Sequence, residues 1–154
     1  MNSPLPTDPD VDLHQPRDRA EFARHHAPVL GAIAAGGALG SLARYGLSVA
    51  MPPPPNGFPL ATFVTNVGGC LLIGVLMVLI TEVWTGQRLL RPFLGVGVLG
   101  GFTTFSTSIV DVQRLVNHGR AATALLYLFA TLAAALLAVI VGMTVTEYAV
   151  RSAR

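Results

Sequence analysis

Four long apolar runs, separated by short polar breaks, leave this chain little choice of fold. They cover about 28–50, 59–83, 92–116 and 121–145. At 1.5 Å per helical residue, each is long enough to cross a bilayer core of roughly 30 Å. Of the 154 residues 52% are hydrophobic and only 12% charged, more apolar surface than a soluble core of this size can bury. The reading is an all-α membrane protein of four transmembrane helices packed as one domain over 28–147, multi-pass in a cell membrane, with the lipid bilayer as its solvent. Residues 1–27 are polar and rich in Pro, Asp and Arg, with no apolar signal core, and read as a disordered cytoplasmic tail. Residues 148–154 read as a short polar C-terminal tail.

The connectors carry their own stop signals. Met51-Pro52-Pro53-Pro54-Pro55-Asn56-Gly57 cannot continue a helix, because proline lacks the amide donor. Thr85-Gly86-Gln87-Arg88 and Asn117-His118-Gly119-Arg120 make tight polar turns, and Pro92 suits the first turn of the third span. All ten basic residues are arginine and the net charge is only +2, which supports no nucleic-acid partner. The single cysteine, Cys70, lies in an apolar run and excludes an intrachain disulfide.

Polar and small residues inside the spans are arranged by face. Gly36 and Gly40 stand four apart, a spacing that lets helices approach closely, within the subunit or between subunits. Arg44 shares that face, and two readings are open: snorkelling to the helix end, or a buried structural or functional role. Thr62, Asn66 and Gly69 form one stripe on the second span; Thr123, Tyr127 and Thr131 form another on the fourth. Such stripes serve as interhelical glue or as a polar path. Neutral donors without a deep carboxylate suit a small anion rather than a cation or proton.

The third span contains Gly100-Gly101-Phe102-Thr103-Thr104-Phe105-Ser106-Thr107-Ser108, glycine-broken and hydroxyl-rich in an otherwise apolar run. A helix break is expected here, and irregular backbone at membrane depth survives only where protein or a polar cavity satisfies it. Freed carbonyls can hold a hard cation. The plainer alternative is a glycine kink with hydroxyls bonded to the preceding turn.

Gly-Gly-Phe-Thr-Thr-Phe-Ser-Thr closely resembles the signature of the Fluc/CrcB fluoride channels. The resemblance runs over nearly all of Gly31 to Val145, through Gly36-Gly37-Ala38-Leu39-Gly40-Ser41-Leu42-Ala43-Arg44-Tyr45 and Ala61-Thr62-Phe63-Val64-Thr65-Asn66-Val67-Gly68-Gly69. It implies a passive fluoride-selective channel that exports fluoride and relieves its toxicity, not an enzyme. It further implies an antiparallel dual-topology-type dimer with two pores and a structural sodium ion. The Gly100 and Thr103 carbonyls would contribute to the sodium site. Asn66, Phe105, Ser108, Thr62, Tyr127 and Thr131 would line the fluoride path, and Gly36, Gly40 and Arg44 would be structural.

One departure from the family pattern stands out: Ser108 occupies the place of a second phenylalanine. It is either a tolerated variant with altered conduction or a sign that this subunit supplies part of a pore beside a different partner. With the tail inside, Arg17, Arg19, Arg24, Arg88, Arg91, Arg151 and Arg154 lie on one side, against Arg114 and Arg120 on the other. That bias predicts one fixed orientation and favours a heterodimer with an oppositely inserted paralogue over a dual-topology homodimer, both readings being open. Asp111 and Arg114 read as a solvated intrahelical pair at the membrane surface, His118 as a loop residue, and Glu82 as reaching water. The rival function is a small four-helix proton-coupled multidrug transporter, which would need an embedded carboxylate that the first span lacks. A membrane hydrolase would need a base near Ser106 or Ser108, and no histidine lies in an apolar span.

Overall fold

The computed structural model describes residues 23–24, 26–54 and 57–153. Helix α1 spans Ala27–Ala50, with Pro28 in its first turn, and α2 spans Leu60–Glu82. Helix α3 begins at Arg91–Leu99, wound in wide π turns, and closes with one α turn at Gly100–Phe102. Helix α4 spans Ser106–Asn117 and α5 spans Ala121–Ser152. Among the described residues four segments are long and apolar enough to cross a membrane, α3 and α4 together making the third. The expected helix break is therefore real and falls at 103–105, where Thr103 turns to extended backbone (ψ 156°).

The polyproline connector leaves α1 at Met51, whose amide caps Leu47; Pro55 and Asn56 lie outside the described residues. So do residues 1–22, 25 and 154, on which the reading of a disordered tail and the arginines Arg17, Arg19 and Arg154 fall. At the other end, α5 continues to Ser152 instead of ending near 145, so the polar C-terminal tail is largely helix. Residues 144–152 contain neither Gly nor Pro, and Glu147 and Arg151 approach to 3.9 Å one turn apart, so nothing stops the helix there.

Close backbone approach at glycines sets the packing. A Cβ on Gly36 would collide with the Phe93 carbonyl, and one on Gly40 with the Val98 carbonyl; a Cβ on Gly97 would lie 2.8 Å from the Ile33 carbonyl. The Gly36–Gly40 stripe is thus filled inside the subunit by α3. A second crossing joins α2 and α5, where Gly74 faces the Val139 carbonyl and Gly142 the Leu71 carbonyl. The third span changes neighbours at its break: α3 packs mainly on α1, and α4 mainly on α5. Little apolar surface faces inward. Leu42, Phe129 and Leu137 are well exposed, as expected where lipid or another subunit supplies the contact.

Gly40→Ala should destabilise the protein by about 1–3 kcal/mol, because rigid backbone cannot yield to the new methyl. Gly46→Ala meets nothing within 4 Å and should be neutral or stabilise by about 0.5–1 kcal/mol. Thermal unfolding in detergent compares the two; equal shifts would remove the close crossing as the cause.

Candidate functional site

The break is closed by one side chain from α2. The Asn66 amide accepts from the Thr104 backbone N–H through Oδ1 at 2.8 Å, and its Nδ2 donates to the Thr104 carbonyl at 2.8 Å. The side chain thus replaces a neighbouring strand of backbone, meeting both orphaned groups of one residue. Nδ2 also donates to Ser108 Oγ at 2.9 Å, and Ser108 donates on to the Thr104 carbonyl at 3.2 Å. Both amide hydrogens of Asn66 are therefore committed within the chain.

The two helix ends at the break are finished separately. The Thr104 hydroxyl accepts from the Thr107 amide at 3.2 Å and so caps the start of α4. At the end of α3, Arg44 Nε donates to the Gly101 carbonyl at 3.1 Å, with Ser41 Oγ on the same oxygen at 3.5 Å. Arg44 is thus tied into the fold, resolving its two readings toward the structural one. Its positive charge sits where the partial negative charge of a helix C-terminus lies. In a continuous helix the Thr104 amide would bond the Gly100 carbonyl. Here that amide goes to Asn66, and the Gly100 oxygen loses its regular partner.

Beside the break lies a largely apolar groove of about 770 Å³ between α2, the third span and α5, with Asn66, Thr103, Thr104, Ser108, Tyr127 and Thr131 among its lining. Tyr127 is wholly buried, its ring edge-on to Phe58 at 5.3 Å between centroids. The hydroxyls of Ser108, Thr131 and Thr62 are its polar neighbours. Among the described residues none stands in full hydrogen-bond geometry to the phenol oxygen, which is itself shut away from water-sized space. Thr131 donates to the Tyr127 carbonyl at 2.6 Å and Thr62 to Asp111 at 2.7 Å. Phe105 lies in the lining of the groove and is 81% exposed.

Asp111 corrects the sequence reading. Instead of a solvated surface carboxylate it is 6% exposed, held by the Thr62 hydroxyl and 3.2 Å from Arg114 Nη2. The cause is register: Ser108, Asp111 and Leu115 fall on one stripe of α4 and all are buried. That spacing from the signature serine was the available signal. It also places a carboxylate inside the fold, where the sequence suggested neutral donors only.

Comparison with known proteins decides the family. Residues 31–143 match the model of CrcB-like protein, Camphor Resistance (CrcB). The chain belongs to the CrcB family. It is 50% identical over 125 residues to "Fluoride-specific ion channel FluC 2" of Streptomyces avermitilis, covering 81% of this chain and 79% of that protein. It is 52% identical over 126 residues to the protein so named from Nocardia farcinica, covering 82% and 90%. Identity reaches 55% over 116 residues, 75% of each chain, with "Fluoride-specific ion channel FluC 1" of Streptomyces coelicolor. The resemblance read from the signature is thereby established, and the multidrug-transporter alternative is not favoured.

Asp111→Asn should cost about 3 kcal/mol, since it leaves the partly buried Arg114 cation without its counter-charge. Adding Arg114→Gln should recover part of that loss. Denaturation midpoints of the single and double variants test this; an unchanged single variant would return the pair to the solvated class.

Proposed function

We propose that this chain is a subunit of a passive, fluoride-selective channel that lets fluoride leave the cell, and not an enzyme. The observation that carries the reading is a groove beside a broken helix, lined by the neutral polar side chains of Asn66, Ser108 and Thr131. Fluoride is small and strongly hydrated, and entering an apolar groove requires donors that replace its water. Neutral donors hold it weakly enough to release it, which conduction needs. The family membership and the names of the relatives support the same ion.

The assembly that fits is an antiparallel dimer. Phe105 is a large ring left in the open at the break, and a second subunit would cover it and use its positive edge toward an anion. A structural sodium ion fits the backbone chemistry of the break. Gly100 and Thr103 offer carbonyl oxygens, hard ligands for a hard cation, and the Gly100 oxygen has lost its helical amide. One chain supplies two such oxygens, so the ion would need the matching pair from the second subunit. When bound, it would make the core more attractive to an anion.

The partner we favour is an oppositely inserted paralogue. Streptomyces avermitilis has relatives numbered 2 and 3 under the same name, so more than one such subunit occurs in one organism. The arginine distribution, seven on one side against Arg114 and Arg120 on the other, supports one orientation.

Liposomes containing the channel, alone or with a co-expressed paralogue, should release fluoride and retain chloride. Asn66→Asp should reduce that flux about tenfold or more, because a carboxylate beside the groove repels an anion. No fluoride release in either configuration would sink the channel reading. Mapping both termini of the chain expressed alone should find a single orientation; equal populations facing each side would favour a dual-topology homodimer.

A further inference from the structure

We propose that Ser108 is a latch that withholds Asn66 from the anion and so tunes how strongly this subunit holds fluoride. The inference rests on the channel reading above and concerns how one of its residues is set. Asn66 lines the groove and carries two amide hydrogens, the kind of donor a desolvated anion would use. One is fixed on the Thr104 carbonyl at 2.8 Å, a bond the helix break cannot do without. The other is held by Ser108 Oγ at 2.9 Å, and the break does not require that bond. The Ser108 hydroxyl donates to the same Thr104 carbonyl at 3.2 Å, so its lone pairs are turned toward Asn66. Ser108 is only 7% exposed, which shields the triangle from competing water. With both hydrogens spent and Oδ1 held by the Thr104 amide, the Asn66 side chain offers an anion no donor.

A residue without a hydroxyl at 108 would leave the reciprocal pairing of Asn66 with Thr104 intact and free one hydrogen toward the groove. Ser108 is therefore a positioning residue: it acts on the ion through Asn66. This separates two roles that share one side chain. Closing the break uses Oδ1 and one Nδ2 hydrogen, and serving an ion would use the other.

The test compares wild type, Ser108→Ala and Ser108→Thr. In liposomes, Ser108→Ala should tighten the apparent fluoride affinity about fivefold, the effect of one gained hydrogen bond, whereas Ser108→Thr, which keeps the hydroxyl, should show no such gain. A merely structural role would alter the amount of folded protein and not the affinity. The second readout needs no transport: the side-chain amide signal of Asn66 in nitrogen-15 NMR, followed as sodium fluoride is titrated against sodium chloride in detergent. It should move in Ser108→Ala and stay fixed in wild type. A wild-type signal that moves with fluoride, or a Ser108→Ala signal that does not, overturns the latch. If the Ser108→Ala signal moves while no variant passes fluoride, the latch stands and the channel reading fails.

Discussion

The reciprocal hydrogen bonds between Asn66 and Thr104 are the constraint on which the rest of this subunit depends. A helix interrupted inside a membrane exposes amides and carbonyls to a medium that cannot solvate them, at several kcal/mol for each group left unpaired. One carboxamide offers a donor and an acceptor side by side, the same pair a backbone edge would offer. Because α2 supplies it, the third span can stop and restart without water. The two halves are then free to take different neighbours, α3 on α1 and α4 on α5. A continuous helix would have to keep one axis and could not serve both.

The break also sorts charge. The carbonyl end of α3 faces Arg44, drawn within reach because Gly36, Gly40 and Gly97 let the two backbones nearly touch. The amide end of α4 begins beside the groove, capped by a hydroxyl and not by a carboxylate. Partial negative charge is thus concentrated on one side of the break and partial positive charge on the other. Opposite partial charges lie a few residues apart because the C-terminal end of one helix meets the N-terminal end of the next there. Glycines at the α1–α3 crossing are in this sense part of the electrostatics, since a wider crossing would take the guanidinium off the Gly101 oxygen.

Much of this was legible in the sequence, and the parts that were not share a cause. Hydropathy located the spans, and the run from Gly100 to Ser108 located the break, because both signals are local. Asn66 could be named as polar in a span, but its partner is 38 positions away, and only packing brings Thr104 to it. Asp111 was misread because its distance from the end of an apolar run suggested water, whereas its register with Ser108 sets its burial. The glycines of α1 gave a spacing for close contact without saying which helix would fill it. At the C-terminus, falling hydropathy after Val145 was read as the end of a helix. It marks the change of solvent, and the backbone has no reason to stop before Ser152.

Ser108 and the arginine distribution bear on the same question from different directions. If the chain inserts in one orientation, as the arginine distribution favours, its antiparallel partner cannot be a second copy of itself. The two ion paths of such a pair are then unlike, and residues need not serve both equally. A serine that holds Asn66 on the break gives this subunit a firmer clamp while drawing a donor away from its own groove. In a symmetric pair that loss would fall on both paths at once. In an unlike pair it falls on the side to which this subunit contributes Asn66, and the partner's corresponding residue decides what the other path can do. A fixed orientation and a serine at 108 are therefore coupled expectations: the first removes the requirement for equivalent paths that the second breaks.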